Sequence, residues 1–356
     1  MPVRAHGLHL LTRLVSRVAR NHSAKCYGDE LDHALIPEIF DLFLHAIQDD
    51  ESFLYLNAVQ GLAQMAMSWR DAVLRPLMAM YVGGDKTQDG MSHALSYGQE
   101  LTQRETDQRL RIGEAILQVL QHLGEAVVSE LDRIVPPLLT AVRNPLFSAT
   151  LRSSFISILG TCVEIAPTAL AADRSSVHMV HMCTELIQAT TERRAIRQRN
   201  RVRASVQGVG AGGEVTERSL DDEDEEEAMW EREATSGTDR DVHRPQLRRA
   251  ALLLLLMLLR ATQEQLDDYR ESCERDLDDI DAPLSALRLP GGGVLPDVHG
   301  RAKPTLPPLL VPVDVLGSVM PVVTYMAQEE ADNVVRVQAQ DCIDHIRLVE
   351  LAYIGL

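Results

Sequence analysis

The chain has 356 residues, of which 4% are aromatic, and a formal net charge of -17. So few aromatic residues beside abundant leucine, valine and alanine argue against an all-β sandwich or barrel, whose strands are rich in aromatic and β-branched residues. Two stretches account for the negative charge: residues 214–241 hold 13 acidic and 3 basic side chains, and residues 264–281 hold 9 and 2. Because the rest of the chain is close to neutral, the sequence does not indicate binding to nucleic acid or to an anionic membrane.

Proline recurs inside apolar, helix-like segments, at Pro37, Pro76, Pro136 and Pro321. Each of these segments is followed by a second helical segment with a marker residue, and two successive markers are roughly 40 residues apart, a period typical of two-helix HEAT or armadillo units. The predicted fold class is therefore all-α, a helical-repeat solenoid with two long disordered acidic loops. The repeat markers, interpreted as structural residues, are Tyr55, Arg111, Arg152, Arg248 and Arg336.

Helices are predicted along residues 1–194, which form a block of HEAT-like repeats. The first helix, at 3–20, has the character of the second helix of a pair, so we expect the chain to be the C-terminal part of a longer protein or the product of a truncated gene model. A polar insert at 83–103 interrupts the block. The other predicted helices are 34–48, 52–67, 71–81, 107–127, 129–142, 145–165 and 175–194.

Polar residues suggest how two of these helices begin. Asp49 and Asp50 are placed to accept backbone N–H bonds at the start of the helix at 52. Asn144 is the predicted N-cap of the helix at 145, since Pro145 fits the first helical position, where no N–H is needed.

The second half of the chain alternates between predicted linkers and helices. Residues 195–243 combine an arginine-rich stretch, a glycine run and seven consecutive acids, and bury too little apolar surface to offset their ordering entropy, so a disordered linker is predicted. A HEAT-like helix follows at 244–267. Residues 268–311 are predicted to be a second disordered loop, first acidic and then rich in glycine and proline, and residues 312–356 form a terminal helix pair.

Three features imitate functional motifs. The ten apolar residues 250–259 reach about 15 Å as a helix, half of the roughly 30 Å of a bilayer core, so a buried core helix is favoured over a membrane span. The glycine run at 208–213 lacks the strand and helix that flank a dinucleotide-binding loop. His178, His181 and Cys183 are close enough on a helix for a metal, but no fourth ligand of similar spacing is visible, so no metal site is expected.

The remaining chemistry of the sequence favours a binding protein over an enzyme. Five scattered cysteines suit free thiols in a reducing compartment better than a disulfide framework. The amphipathic N-terminal helix carries arginines throughout and does not resemble a secretory signal. Since the sequence contains no recognisable catalytic triad, paired carboxylates or phosphate loop, we expect neither catalysis nor a cofactor.

Two charged runs are candidate binding patches with two interpretations each. The basic run is either a nuclear-localisation or anion-binding patch, or a solvated helix end whose charge offsets the acids downstream. The acidic run either recruits a basic partner or keeps the linker solvated. The basic patch comprises Arg193, Arg194, Arg197, Arg199, Arg201 and Arg203. The acidic patch comprises Asp221, Asp222, Glu223, Asp224, Glu225, Glu226 and Glu227.

Several segments carry a resemblance to a known family. They are HGLHLL at 6–11, DDESFLYLNAVQGL at 49–62, RLRIGEA at 109–115 and LGEA at 123–126. In this order they resemble the C-terminal region of the RNA polymerase II assembly and nuclear-import factor family of fungi, whose animal relatives are called transport and Golgi organisation protein 6. The later segments RRAA at 248–251 and VRVQA at 335–339 resemble the second C-terminal block of that family.

The resemblance implies a cytoplasmic HEAT-repeat scaffold, able to shuttle to the nucleus, that assists RNA polymerase II assembly and nuclear import. Its implied partners are polymerase subunits and the nuclear-transport machinery. The animal relatives imply an alternative role in protein secretion and Golgi organisation, with coat and Golgi proteins as partners. A generic solenoid adaptor is a third reading, because one helical surface can suit any of these partners.

Overall fold

The structure is a computed structural model that describes residues 2–23, 34–49, 51–83, 101–188, 245–278, 308–330 and 332–355. Over these residues 90% are helical and none is in a strand, which confirms the predicted all-α class. The predicted linker at 195–243 lies outside the described residues, as do most of the polar insert and the segment 279–307.

The helices in the first half of the chain follow the predicted order, and a 3-10 turn, Gly124–Glu130, connects the fifth to the sixth. They are α1 (Pro2–Ser23), α2 (Leu35–Ile47), α3 (Ser52–Ser68), α4 (Arg70–Val82), α5 (Gln103–Leu123), α6 (Leu131–Arg143), α7 (Ala149–Ile165), α8 (Pro167–Ala172) and α9 (175–188). In the second half they are α10 (Pro245–Asp278), α11 (Val313–Glu329) and α12 (Asn333–Ile354). The prolines of the repeat pattern lie inside first helices, at Pro76, Pro136 and Pro321 among others.

Alternate helices pack side by side. The inner row consists of α1, α3, α5, α7, α10 and α12, and each of these helices contacts the next one in that order. Beside this row, α2 packs on α3, α4 on α5, α6 on α7 and α11 on α12, while α2 contacts α4 and α4 contacts α6. One apolar core runs through all these contacts, from Val15 of α1 to Val349 of α12.

The apolar run at 250–259 is a core segment, as predicted. Most of its leucines are buried between α7 and α12, while Leu253 is exposed. None of the helices in the described ranges combines the length and the hydropathy that crossing a bilayer requires.

The prediction of a disordered loop at 268–311 is wrong at both ends of that range. Helix α10 continues to Asp278, because residues 263–278 contain strong helix formers and no glycine or proline, and a high density of acids does not by itself end a helix. At the other end, Leu310 and Val311 are fully buried, and their N–H groups donate to Gln265 Oε1 and Thr262 Oγ1 of α10 at 2.9 and 3.1 Å.

Both predicted helix caps are also corrected. Helix α7 begins four residues later than expected: Ser148 is its N-cap and accepts the N–H of Leu151, while Asn144 accepts the N–H of Leu146 in a turn before the helix. At α3 the N-cap is Glu51, without a side-chain bond to the helix. Asp49 instead accepts the N–H of Glu51 at 3.1 Å, one residue before the helix starts.

Candidate protein-binding surface

Two arginines of the inner row are buried, and each donates a hydrogen bond to the C-terminal end of the preceding helix. Arg152 of α7 is 5% exposed, and its Nε donates to the carbonyl of Val142, in the last turn of α6, at 2.7 Å. Arg109 of α5 donates in the same way to the carbonyl of Tyr81, in the last turn of α4, at 3.3 Å. Cations suit helix C-termini, where carbonyl groups lack partners within the helix. Both contacts tie a first helix to its own second helix.

The structural equivalent of Arg152 is therefore Arg109 and not the predicted marker Arg111. The Arg109 guanidinium lies 5.5 Å from the centre of the Phe147 ring, and burial lowers the pKa of Arg109 below its usual value. The spacing contained the signal: Arg109 is in register with Ile112 and Ile116 on the buried stripe of α5, whereas Arg111 falls on another face.

The other predicted markers have different structural roles. Arg111 donates to the carbonyls of Gln48 and Asp49 at 3.1 and 3.0 Å, just beyond the end of α2. Arg248 of α10 is buried and pairs with Glu330, which is buried after the end of α11. Tyr55 is half-buried on α3, where desolvation and the neighbouring Glu114 raise its pKa. Arg336 is exposed and donates to Asn333 of its own helix.

Two further ion pairs connect inner-row helices near their N-termini. Arg4 of α1 contacts Asp49, before α3, at 3.0 Å, and Arg249 of α10 contacts Asp332, the N-cap of α12, at 2.5 Å. The hydrogen bond from Arg249, with the N–H groups of Val335 and Val334, lowers the pKa of Asp332. The same arginine-to-turn contact thus occurs at both ends of the row.

The remaining predicted sites are two charged patches and the three side chains considered as metal ligands. The basic patch at 193–203 and the acidic patch at 221–227 lie outside the described residues. On α9, His178 and His181 are exposed while Cys183 is fully buried, so the helix does not bring the three side chains to one face. Burial raises the pKa of the Cys183 thiol, and raises the pKa of the Cys162 and Cys342 thiols to about 12.

An uncharged stripe of exposed side chains runs along one face of helix α3. Phe53 is 57% exposed and Leu56 62% exposed, and the stripe continues through Gln60 to Met67 at helical spacing. We call these four residues the α3 stripe. Isolated exposed apolar residues are ordinary, but several in line on one helix indicate a contact surface.

A groove of about 340 Å³ lies between α4 and α6. Leu74, Met78 and Ile134 form its buried floor, and Arg75 and Arg133 lie at its rim. Arg133 pairs with Asp71 and with Glu130, which neutralises most of the charge at this edge. The groove has room for one or two apolar side chains and lacks the convergent polar groups of a small-molecule site.

Comparison with protein families bears on the first part of the chain. Residues 1–126 match the family described as "Required for nuclear transport of RNA pol II C-terminus 1". The predicted resemblance is confirmed over these residues. The matched region covers α1 to α5 and includes the α3 stripe, Arg109 and Arg111. No solved structure matches the chain.

Proposed function

We propose that this chain is a non-catalytic, HEAT-like repeat scaffold that assists the nuclear transport of RNA polymerase II through protein–protein contacts. The family match over residues 1–126 carries this proposal, since its description names that transport. The proposal places the protein in the cytoplasm with passage to the nucleus, and makes polymerase subunits or transport factors its partners.

The packing order supports the repeat architecture. In a solenoid each unit contacts only its neighbours, and second helices stack on second helices. The inner row follows that order from α1 to α12, and Arg109 and Arg152 make the same contact in two successive helix pairs.

The α3 stripe is the surface that we assign to the partner. Its apolar members are exposed, lie inside the matched region and have no carboxylate among them, so burying them against a partner gains hydrophobic stabilisation without desolvating charge. Exposed aromatic residues such as Phe53 are typical of the side chains that dominate interface energies.

Affinity purification of the tagged chain, followed by mass spectrometry, tests the function. We expect polymerase II subunits to co-purify with the wild type and to be lost with the double variant Phe53→Ser, Leu56→Ser. The matched control is Leu42→Ser on α2, since Leu42 is also 57% exposed but lies off the stripe. Recovery of coat or Golgi proteins instead of polymerase would support the secretion role, and equal recovery with both variants would remove the α3 stripe from the interface.

A further inference from the structure

The groove between α4 and α6 is a second apolar surface, which the proposed function does not use. Its volume is about 340 Å³, and the buried side chains of Leu74, Met78 and Ile134 form its floor. Ala79 and Pro137 line its walls and are only half-buried, so an entering side chain can contact them. Because few polar groups converge on it, the groove suits apolar side chains of a protein segment rather than a polar small molecule.

The two arginines at the rim differ in what they leave free. Arg133 on α6 already pairs with Asp71 and with Glu130, the latter at 3.3 Å. Arg75 on α4 is exposed, and its side chain makes no ion pair or hydrogen bond with the residues that the structure describes. A free positive charge therefore lies beside the apolar floor, and it favours a ligand that carries a carboxylate.

Proline adds a hydrogen-bond acceptor to the α6 wall of the groove. In an α-helix the carbonyl of each residue accepts the N–H four residues later, and proline has no N–H. Pro137 therefore leaves the carbonyl of Arg133 without its usual helical donor, and both residues line the groove. The backbone N–H of a bound peptide is a suitable donor for that carbonyl.

We propose that the groove binds a short segment of a partner protein in which apolar side chains stand next to an aspartate or a glutamate. The apolar side chains cover the floor of the groove, the carboxylate pairs with Arg75, and a backbone N–H of the segment donates to the carbonyl of Arg133. The groove lies between two helices outside the inner row, whereas the α3 stripe lies on an inner-row helix. Both surfaces can therefore be occupied at once, and the groove does not depend on the polymerase role.

Fluorescence anisotropy with short labelled peptides tests this site on the full chain. The peptides carry a pair of leucines or of phenylalanines on a glycine-serine background and differ only in the glutamate, glutamine or lysine beside that pair. We expect the glutamate peptides to bind about two- to fivefold more tightly than the glutamine peptides, the gain from one exposed ion pair, and the lysine peptides to bind least tightly. Raising the salt concentration should remove this preference.

Two variants separate the charge from the apolar groove. Arg75→Glu should reverse the order, so that the lysine peptides bind more tightly than the glutamate peptides. Ala79→Trp places an indole in the groove and should abolish binding of every peptide. Arg336→Glu reverses an exposed charge on α12 and should leave every affinity unchanged, as should the double variant Phe53→Ser, Leu56→Ser on the α3 stripe. Circular dichroism checks folding, and if Ala79→Trp is unfolded the reversal by Arg75→Glu still decides.

Equal affinities for the glutamate and lysine peptides overturn the proposal, and so does the absence of binding to any peptide. Binding that appears only after residues 84–100 are replaced by a glycine-serine linker would assign the groove to that segment of the chain instead. Self-association that Ala79→Trp abolishes in analytical ultracentrifugation would assign it to a second copy. Each of these results leaves the co-purification of polymerase subunits unaffected, so the proposed function stands or falls separately.

Discussion

Arg109 and Arg152 lose much of their hydration on burial, yet each donates to a carbonyl in the last turn of the helix before it, where carbonyl groups lack partners within that helix. A buried charge is costly unless it is hydrogen-bonded, and a buried carbonyl is costly in the same way. The contact therefore offsets two desolvation penalties at once. It also fixes the angle between paired helices, since the guanidinium must reach the last turn of the first helix.

Replacing Arg152 with methionine should destabilise the fold, since the carbonyl of Val142 then loses its donor. We expect a loss of about 1.5–3 kcal/mol in the free energy of unfolding, the range for hydrogen bonds made by charged groups. Arg336→Met is the control, because Arg336 is also a predicted repeat marker but is exposed. Its loss should cost no more than about 0.5 kcal/mol. Urea denaturation measures both values, and equal losses would contradict the structural role of Arg152.

Gly61 allows a test of the close packing between α2 and α3. A Cβ at this position would lie 2.3 Å from ring carbons of Phe43, so this fully buried ring would have to shift within the core. Gly61→Ala should therefore cost about 1–3 kcal/mol by overpacking. Gly317→Ala on α11 has open space around the added methyl group and should gain up to about 1 kcal/mol from helix propensity. A stabilised Gly61→Ala protein in thermal denaturation would show that α2 and α3 are further apart than the structure has them.

The sequence predicts which helices exist better than where they begin and end. Apolar periodicity placed α2, α3, α4 and α6 to within a few residues, because a buried stripe repeats at 3.6 residues regardless of its surroundings. The start of α7 was missed since Asn144 and Ser148 are both good caps, and only tertiary packing decides between them.

The N-cap of α7 can be tested directly. Ser148→Ala removes the acceptor for the N–H of Leu151 and should destabilise the protein by about 1 kcal/mol. Ser157→Ala in the same helix removes an exposed hydroxyl that only bonds the carbonyl of Ser153, and alanine is the better helix former there, so a neutral or slightly favourable change is expected. If Ser157→Ala proves the more damaging substitution in chemical denaturation, the helix start has been misplaced.

For the candidate surface, the sequence predicted which segment is involved but not which face of its helix is exposed. The motif at 49–62 was singled out as a whole, while only Phe53 and Leu56 of it form the exposed apolar stripe and Leu54 and Ala58 are buried. Which side of a helix faces solvent depends on the neighbours that cover it, here α1, α2 and α5, and these long-range contacts are not encoded in local periodicity.

The order of contacts along the inner row predicts how far the effect of a local substitution spreads. Because the contacts of each helix are confined to its neighbours, stability should be close to a sum of unit and interface contributions, and the ends should open before the centre. Ile343 of α12 and Ile116 of α5 are both buried, at the end and near the middle of the row. Truncating either isoleucine to alanine removes a similar apolar volume and should cost about 2–5 kcal/mol locally.

Hydrogen exchange followed by mass spectrometry distinguishes the two substitutions. Ile343→Ala should speed exchange in α11 and α12 while α1 to α5 keep their wild-type protection, since α12 packs on α10 and α11, away from the first five helices. Ile116→Ala should speed exchange on both sides of α5, because α3 and α7 each pack against it. A uniform loss of protection throughout the chain in the Ile343→Ala protein would mean that the helices unfold as one cooperative unit, and the repeat description would then fail.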